Sequence, residues 1–154
     1  MKKLAFISTI IFCSYTGVHH KIHSPVSLDQ KILTQVESPD YDSTMVKALI
    51  MIESSGNDNA HRKSEDAVGC LQIRRTMVRD INRILKRQGS SKRFKFKDRW
   101  NRSKSIEMFD IYCEYYNLQS PEVISRCWNG GPKGYKKKST RKYWTKVKSL
   151  LKIN

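Results

Sequence analysis

From residue 43 onward, apolar positions recur at helical spacing, and clean alternation is nearly absent. Met45, Ala48, Leu49 and Ile52 stand at i, i+3, i+4 and i+7, which predicts a helix capped by Asp42 or Ser43 and running through Glu53. Ser54-Ser55-Gly56-Asn57 ends it, because Gly and Asn tolerate the left-handed turn that closes a helix. Asp58 to Asp66 is polar and reads as a loop. A second helix carries Met77, Ile81, Ile84 and Leu85, and Gln88 to Arg102 reads as a long basic loop. Ser103 caps a third helix bearing Ile106, Phe109, Cys113 and Tyr116. Ser120-Pro121-Glu122 starts a fourth: a cap, a proline at the first helical position, then an acid facing the helix dipole. It holds Val123, Ile124, Cys127 and Trp128, and Asn129 to Gly134 is a tight turn. A last helix holds Tyr143 or Trp144, Val147, Leu150 and Leu151. The expected fold is mainly α, with little or no β.

Upstream the pattern changes. Met1, Lys2 and Lys3 precede an apolar stretch from Leu4 to Phe12, followed by small and polar residues to Gly17. Residues 1–17 read as a secretory signal peptide or an N-terminal anchor, so the chain is expected to be exported. Residues 18–39 are polar, contain Pro25 and Pro39, and read as a linker with a short helix around Ile32 to Val36. The folded domain is expected over 40–154, a length that suits one domain.

Composition narrows the partners. The long apolar run is N-terminal, which excludes a polytopic membrane protein. The formal net charge is +16, pointing to a polyanion: nucleic acid, anionic membrane or cell wall. Arg74 to Lys104 holds 13 Lys or Arg and two acids, and Pro132 to Asn154 holds nine and none. A solvated face is the plain reading of such runs. Phe94, Phe96 and Trp100 lie within the first and read either as packing or as stacking groups. Cys70, Cys113 and Cys127 remain once Cys13 is assigned to the signal, and free thiols or one disulfide among them are both open. His19, His20, His23 and His61 form no cluster at metal-ligand spacing, so neither a metal nor a cofactor is expected.

One carboxyl stands in an unusual place. Glu53 falls four residues after Leu49 and seven after Val46, at the edge of the first helix's apolar stripe. Spacing alone leaves two readings open: a last-turn glutamate pointing to water, or a sheltered acid. Shelter disfavours the charged form, and a carboxyl that keeps its proton near neutrality can serve as a general acid.

The surroundings of Glu53 carry a resemblance. Glu53-Ser54-Ser55-Gly56-Asn57 is followed by Ala67-Val68-Gly69-Cys70-Leu71-Gln72-Ile73, then Cys127-Trp128-Asn129-Gly130-Gly131-Pro132, then Thr140 and Tyr143. In order and spacing these blocks resemble the catalytic domain of soluble lytic transglycosylases, which is similar to goose-type lysozyme. That family shows E-S-x-x-N, G-L-M-Q-I, A-Y-N-A-G-P and E-T-x-x-Y blocks, and the likeness covers roughly Ser43 to Lys148. Departures are Cys70-Leu71 for Leu-Met, Trp128 for Tyr, Gly130 for Ala, Asp66 for a common Gly, and Ser139 for the acid before Thr140.

The resemblance implies a lysozyme-like single domain and cleavage of the β-1,4 bond between N-acetylmuramic acid and N-acetylglucosamine in peptidoglycan. Glu53 would be the catalytic acid and then the base, forming 1,6-anhydromuramoyl ends. Ser54, Gln72, Asn129 and Tyr143 match groups that line the cleft or touch the acid, and would bind substrate. For Gln72 a satisfied backbone contact, and for Tyr143 core packing, are the structural alternatives. Gly69 reads as a close backbone approach. The implied partner is the glycan strand, met by a monomer in the periplasm or outside the cell, with at most transient association with the envelope surface. A lysozyme-type muramidase hydrolysing the same bond is the nearest alternative. A wall-binding domain without activity, and a basic nucleic-acid-binding protein, are two further ones; the last has no recognisable binding motif and leaves Glu53 and the Gln72 block unexplained.

Overall fold

A computed structural model of the protein describes residues 43–152. The expected signal segment (1–17), the linker (18–39), the domain start at 40 and the capping role of Asp42 lie outside the described residues. The described part is mainly helical, as its apolar spacing predicts. Five helices occur among the described residues: α1 (Ser43–Ser54), α2 (Arg75–Arg87), α3 (Arg102–Tyr115), α4 (Pro121–Gly130) and α5 (Arg141–Leu151). Of these, none is long and apolar enough to cross a membrane.

Helix α1 is buried over more than one stripe. Met45, Val46, Ala48, Leu49 and Ile50 are all in the core, whereas Ile52, expected there, is half-buried. Such breadth marks a helix packed on several sides, and α5 is one of its neighbours. The chain leaves α1 through two left-handed residues, Ser55 (φ 54°) and Gly56 (φ 84°). Their amides donate to Met51 O and Ile50 O at 3.1 and 3.4 Å, satisfying carbonyls that the helix end leaves open.

The polar stretch expected as a loop, Asp58 to Asp66, supplies the first strand and the turn of a small hairpin. Strands β1 (His61–Arg62) and β2 (Ala67–Val68) pair antiparallel, His61 opposite Val68 and Arg62 opposite Ala67, around a 3-10 turn at Lys63–Glu65. Strands of two residues have no alternation to read, which is why spacing did not predict them. Val68 and Ile73 then exchange backbone hydrogen bonds of 3.2 and 2.9 Å and close a tight loop over 69–72.

Helix α2 buries Val78, Ile81, Ile84 and Leu85, while Met77 reaches only partial burial. The following Gln88–Arg102 stretch is not a free basic loop. Asn82 bonds both backbone groups of Phe94, at 2.9 Å to its carbonyl and 2.8 Å from its amide, and the Phe94 ring is buried. A 3-10 segment at Phe96–Trp100 follows, with Asp98 Oδ2 accepting from the Lys95 amide at 2.8 Å. Arg99 has a buried guanidinium that donates to Phe96 O (2.9 Å), Ile73 O (3.0 Å) and Asp66 O (2.7 Å). One arginine thereby ties this segment to the hairpin. Phe96 and Trp100 remain partly exposed, with Arg75 and Arg79 over the Phe96 ring and His61 edge-on to Trp100.

The cap of α3 is Asn101 rather than Ser103: its Oδ1 accepts from the Lys104 amide at 2.9 Å. Tyr116, expected on this helix, is the residue that ends it. Helix α4 starts as its Ser-Pro-Glu signal predicts, with Ser120 Oγ accepting from the Val123 amide at 3.3 Å. On α5, Val147 is buried, but Leu150 is solvent-exposed, contrary to expectation. Cys70, Cys113 and Cys127 are buried free thiols, so the open question of a disulfide among them resolves to none.

Candidate active site

Glu53 ends up where the last turn of α1 meets a cleft of about 700 Å³. Gln72 and Trp128 reach the same cleft from the 69–72 loop and α4, together with Asn129, and the α4–α5 connection closes one side through Pro132 and Lys137. Of the five residues expected at the site, three therefore line one cavity: Glu53, Gln72 and Asn129.

Tyr143 does not line the cavity but touches its acid. Its hydroxyl donates to Glu53 Oε1 at 2.7 Å. Burial pushes the Glu53 pKa above its ordinary 4.5, against the Tyr143 hydrogen bond and the charges of Arg62 and Arg74, which pull it down. Burial also pushes the Tyr143 phenol up, and the neighbouring Glu53 charge adds to this, so Tyr143 stays a donor. The contact joins helices 90 residues apart in sequence.

Ser54 lies apart from this group. Its hydroxyl donates back to Ile50 O on its own helix at 3.1 Å, and it is not among the residues lining the cavity. A serine in a last helical turn finds that carbonyl within easy reach. Gln72 has both a structural contact and a place in the cleft. Its amide nitrogen donates to Ala60 O (3.1 Å) and Gly69 O (3.0 Å), which uses both amide hydrogens and leaves its Oε1 as acceptor. Its backbone is left-handed (φ 48°), held so by the tight loop.

Two further carboxylates line the cleft, and guanidinium groups hold both. Glu65 pairs with Arg74 and, at 3.6 Å, with Arg62. Asp80 pairs with Arg83 at 2.9 Å and accepts from Tyr116 at 3.3 Å. Among the described residues Glu53 has no such partner, and a hydroxyl holds it instead. The site thus separates one carboxyl whose pKa burial raises from two that are engaged by guanidinium partners. Among the described residues, no three His, Cys, Asp or Glu side chains gather as a metal-binding group.

The connection that delivers Tyr143 is braced from below. Arg126 on α4 is buried and donates to Thr140 Oγ1 (3.1 Å), Glu122 (2.6 Å) and Lys137 O (3.2 Å). The Thr140 hydroxyl lies 2.8 Å from both Gly134 O and Lys137 O, as donor to them. Thr140 directly precedes α5, so this network sets where α5 begins and where Tyr143 points. Sequence reasoning missed Arg62, Arg74 and Arg126. Nothing in a strongly basic chain marks these three among 30 Lys and Arg residues.

Comparison with known proteins yields no matching family model and no matching curated protein.

Proposed function

We propose that this protein is a peptidoglycan lytic transglycosylase with a lysozyme-like architecture, acting on the cell wall outside the cytoplasmic membrane. The observation that carries the reading is Glu53: a half-buried carboxyl with a raised pKa, hydrogen-bonded by Tyr143, on a cleft shared with Gln72 and Asn129. Order and spacing of the four sequence blocks support the substrate class.

Protonated Glu53 donates to the glycosidic oxygen as the bond between N-acetylmuramic acid and N-acetylglucosamine breaks, and positive charge builds at C1. A retaining two-carboxylate hydrolase uses a second ionised acid as nucleophile. The remaining cleft carboxylates, Glu65 and Asp80, are engaged by arginines, which favours a route in which the substrate's 2-acetamido oxygen supports C1. Glu53, now ionised, takes the proton of the muramoyl C6 hydroxyl, and that oxygen closes on C1 as a 1,6-anhydro end. Through its 2.7 Å hydrogen bond Tyr143 orients the carboxyl and stabilises it in its ionised half-cycle. The amide oxygen of Gln72 and the side chain of Asn129 accept or give hydrogen bonds to the sugar.

The test is mass analysis of digested sacculi with a Glu53→Gln control. Anhydro ends that vanish in the variant support the reading. Free reducing ends in their place would identify a hydrolase, and undiminished turnover by the variant removes Glu53 from the chemistry.

A further inference from the structure

The cleft carries more positive charge than its chemistry at Glu53 requires. Four cations line it (Arg62, Arg74, Arg83 and Lys137) against three carboxyls, Glu53, Glu65 and Asp80. Arg83 is held by Asp80, and Lys137 Nζ donates to Gly130 O at 2.7 Å. Arg62 and Arg74 are arranged differently. Among the described residues both share one partner, Glu65, and each side chain is half-exposed, at 50% and 57%. A guanidinium has five N–H donors, so one shared carboxylate leaves most of them unused. Both charges also act on Glu53, which puts the pair within electrostatic reach of the reacting carboxyl.

The elements hold this pair in place. Arg62 sits on β1, whose partner β2 is buried, and Arg74 follows the Val68–Ile73 bridge that closes the adjacent loop. The buried guanidinium of Arg99 fastens both sides, through Asp66 O and Ile73 O. The two cations are thus on rigid backbone, with Glu65 holding their side chains together. A planar, bidentate carboxylate is the ligand that two adjacent guanidinium groups fit best.

Resting on the wall-cleaving reading above, we propose that Arg62 and Arg74 form a carboxylate-reading subsite, taking an acid group of the glycan strand or its peptide next to the bond that Glu53 protonates. The acid has two chemical sources: the lactyl group of a muramic acid without peptide, or the free carboxyls of an attached stem peptide.

The experiment compares wild type, Arg62→Gln, Arg74→Gln and the double variant on peptide-bearing strands and on strands stripped of peptide. Each strand is also used with its carboxyls converted to methylamides. Rates are read on the plateau of each variant's own pH profile, which takes changes in Glu53 ionisation out of the comparison. Each single variant is expected to lose about tenfold in kcat/KM on the strand that carries the recognised acid, mainly through KM. On the methylamide form of that strand the wild type itself is expected to drop to the level of the variants. The strand showing the loss identifies the source of the acid. An equal loss on native and methylamide strands, or none on either native strand, overturns the subsite. Binding of the same strands to the Glu53→Gln protein gives an independent readout. If wild type cleaves no strand, the proposed function falls, and a difference in binding between native and methylamide strands that disappears on removing the arginines still upholds the subsite. Absence of that difference overturns it.

Discussion

The Tyr143 hydroxyl donates to Glu53 Oε1 over 2.7 Å, linking the last turn of α1 to the first turn of α5. This contact favours the ionised carboxylate, whereas burial favours the acid, and burial prevails. The balance suits a group that gives up a proton and then recovers one within the same cycle.

Replacing Tyr143 by Phe removes the hydrogen bond that, together with the charges of Arg62 and Arg74, pulls the Glu53 pKa down, so the native pKa rises further. The alkaline limb of kcat/KM is expected to move to higher pH, and kcat to fall about tenfold from loss of one charge-assisted hydrogen bond. Glu53 borders an open cleft where water replaces the lost donor, so stability should change by about 1 kcal/mol or less. An unshifted pH–rate profile would show that Tyr143 only fills space.

Glu53→Gln should remove at least about 10²–10⁴-fold of activity, the usual worth of general acid–base catalysis. Its effect on stability has a definite sign. Below the ordinary pKa of 4.5 the carboxyl is protonated in both the folded and the unfolded chain and costs nothing. As pH rises from there through the raised native value, the unfolded chain releases its proton first, and the folded state is penalised. The Gln variant, which still accepts from Tyr143, is therefore expected to melt higher than wild type near neutrality and equally in acid. Thermal melts across this range check it, and a lower Tm at neutral pH would contradict the sheltered-acid description.

Arg99→Met tests the tie between the Phe96–Trp100 segment and the hairpin. It leaves the carbonyls of Phe96, Asp66 and Ile73 without their buried donor. A loss of about 3–5 kcal/mol in urea unfolding is expected. The same change loosens the backbone that carries Arg62, Gln72 and Arg74, so activity should fall even where the variant is fully folded. Substitution without cost would mean that the segment is the free loop its composition suggests.

Two glycines separate backbone conformation from packing. Gly69 (φ 78°) and Gly89 (φ 74°) share the left-handed region, but a Cβ on Gly69 would lie 2.0 Å from Arg99 O, while one on Gly89 meets nothing within 4 Å. Gly89→Ala should cost about 1–2 kcal/mol, the strain of a left-handed L residue alone. Gly69→Ala should cost well beyond that, because the atom in the way is backbone. Equal losses in denaturant titration would refute the close approach.

What the sequence by itself determined is local. Helical spacing marks α1, α2 and α4, Ser120-Pro121-Glu122 sets the start of α4, and Glu53 is visible as a carboxyl at the edge of an apolar stripe. These features depend on residues within a few turns of one another, where periodicity and capping chemistry are legible. Only the tertiary structure decided that Gln88–Arg102 is packed and that Leu150 faces solvent. It also decided the meeting of Glu53 with Tyr143 and of Arg62 with Arg74 around Glu65. The reason is the range of the interactions. Arg99 finds its carbonyls 26 and 33 residues away, and Tyr143 its acid 90 residues away. No local pattern specifies such pairs; they form because burying the helices brings particular polar groups together, and a buried polar group must find a partner there.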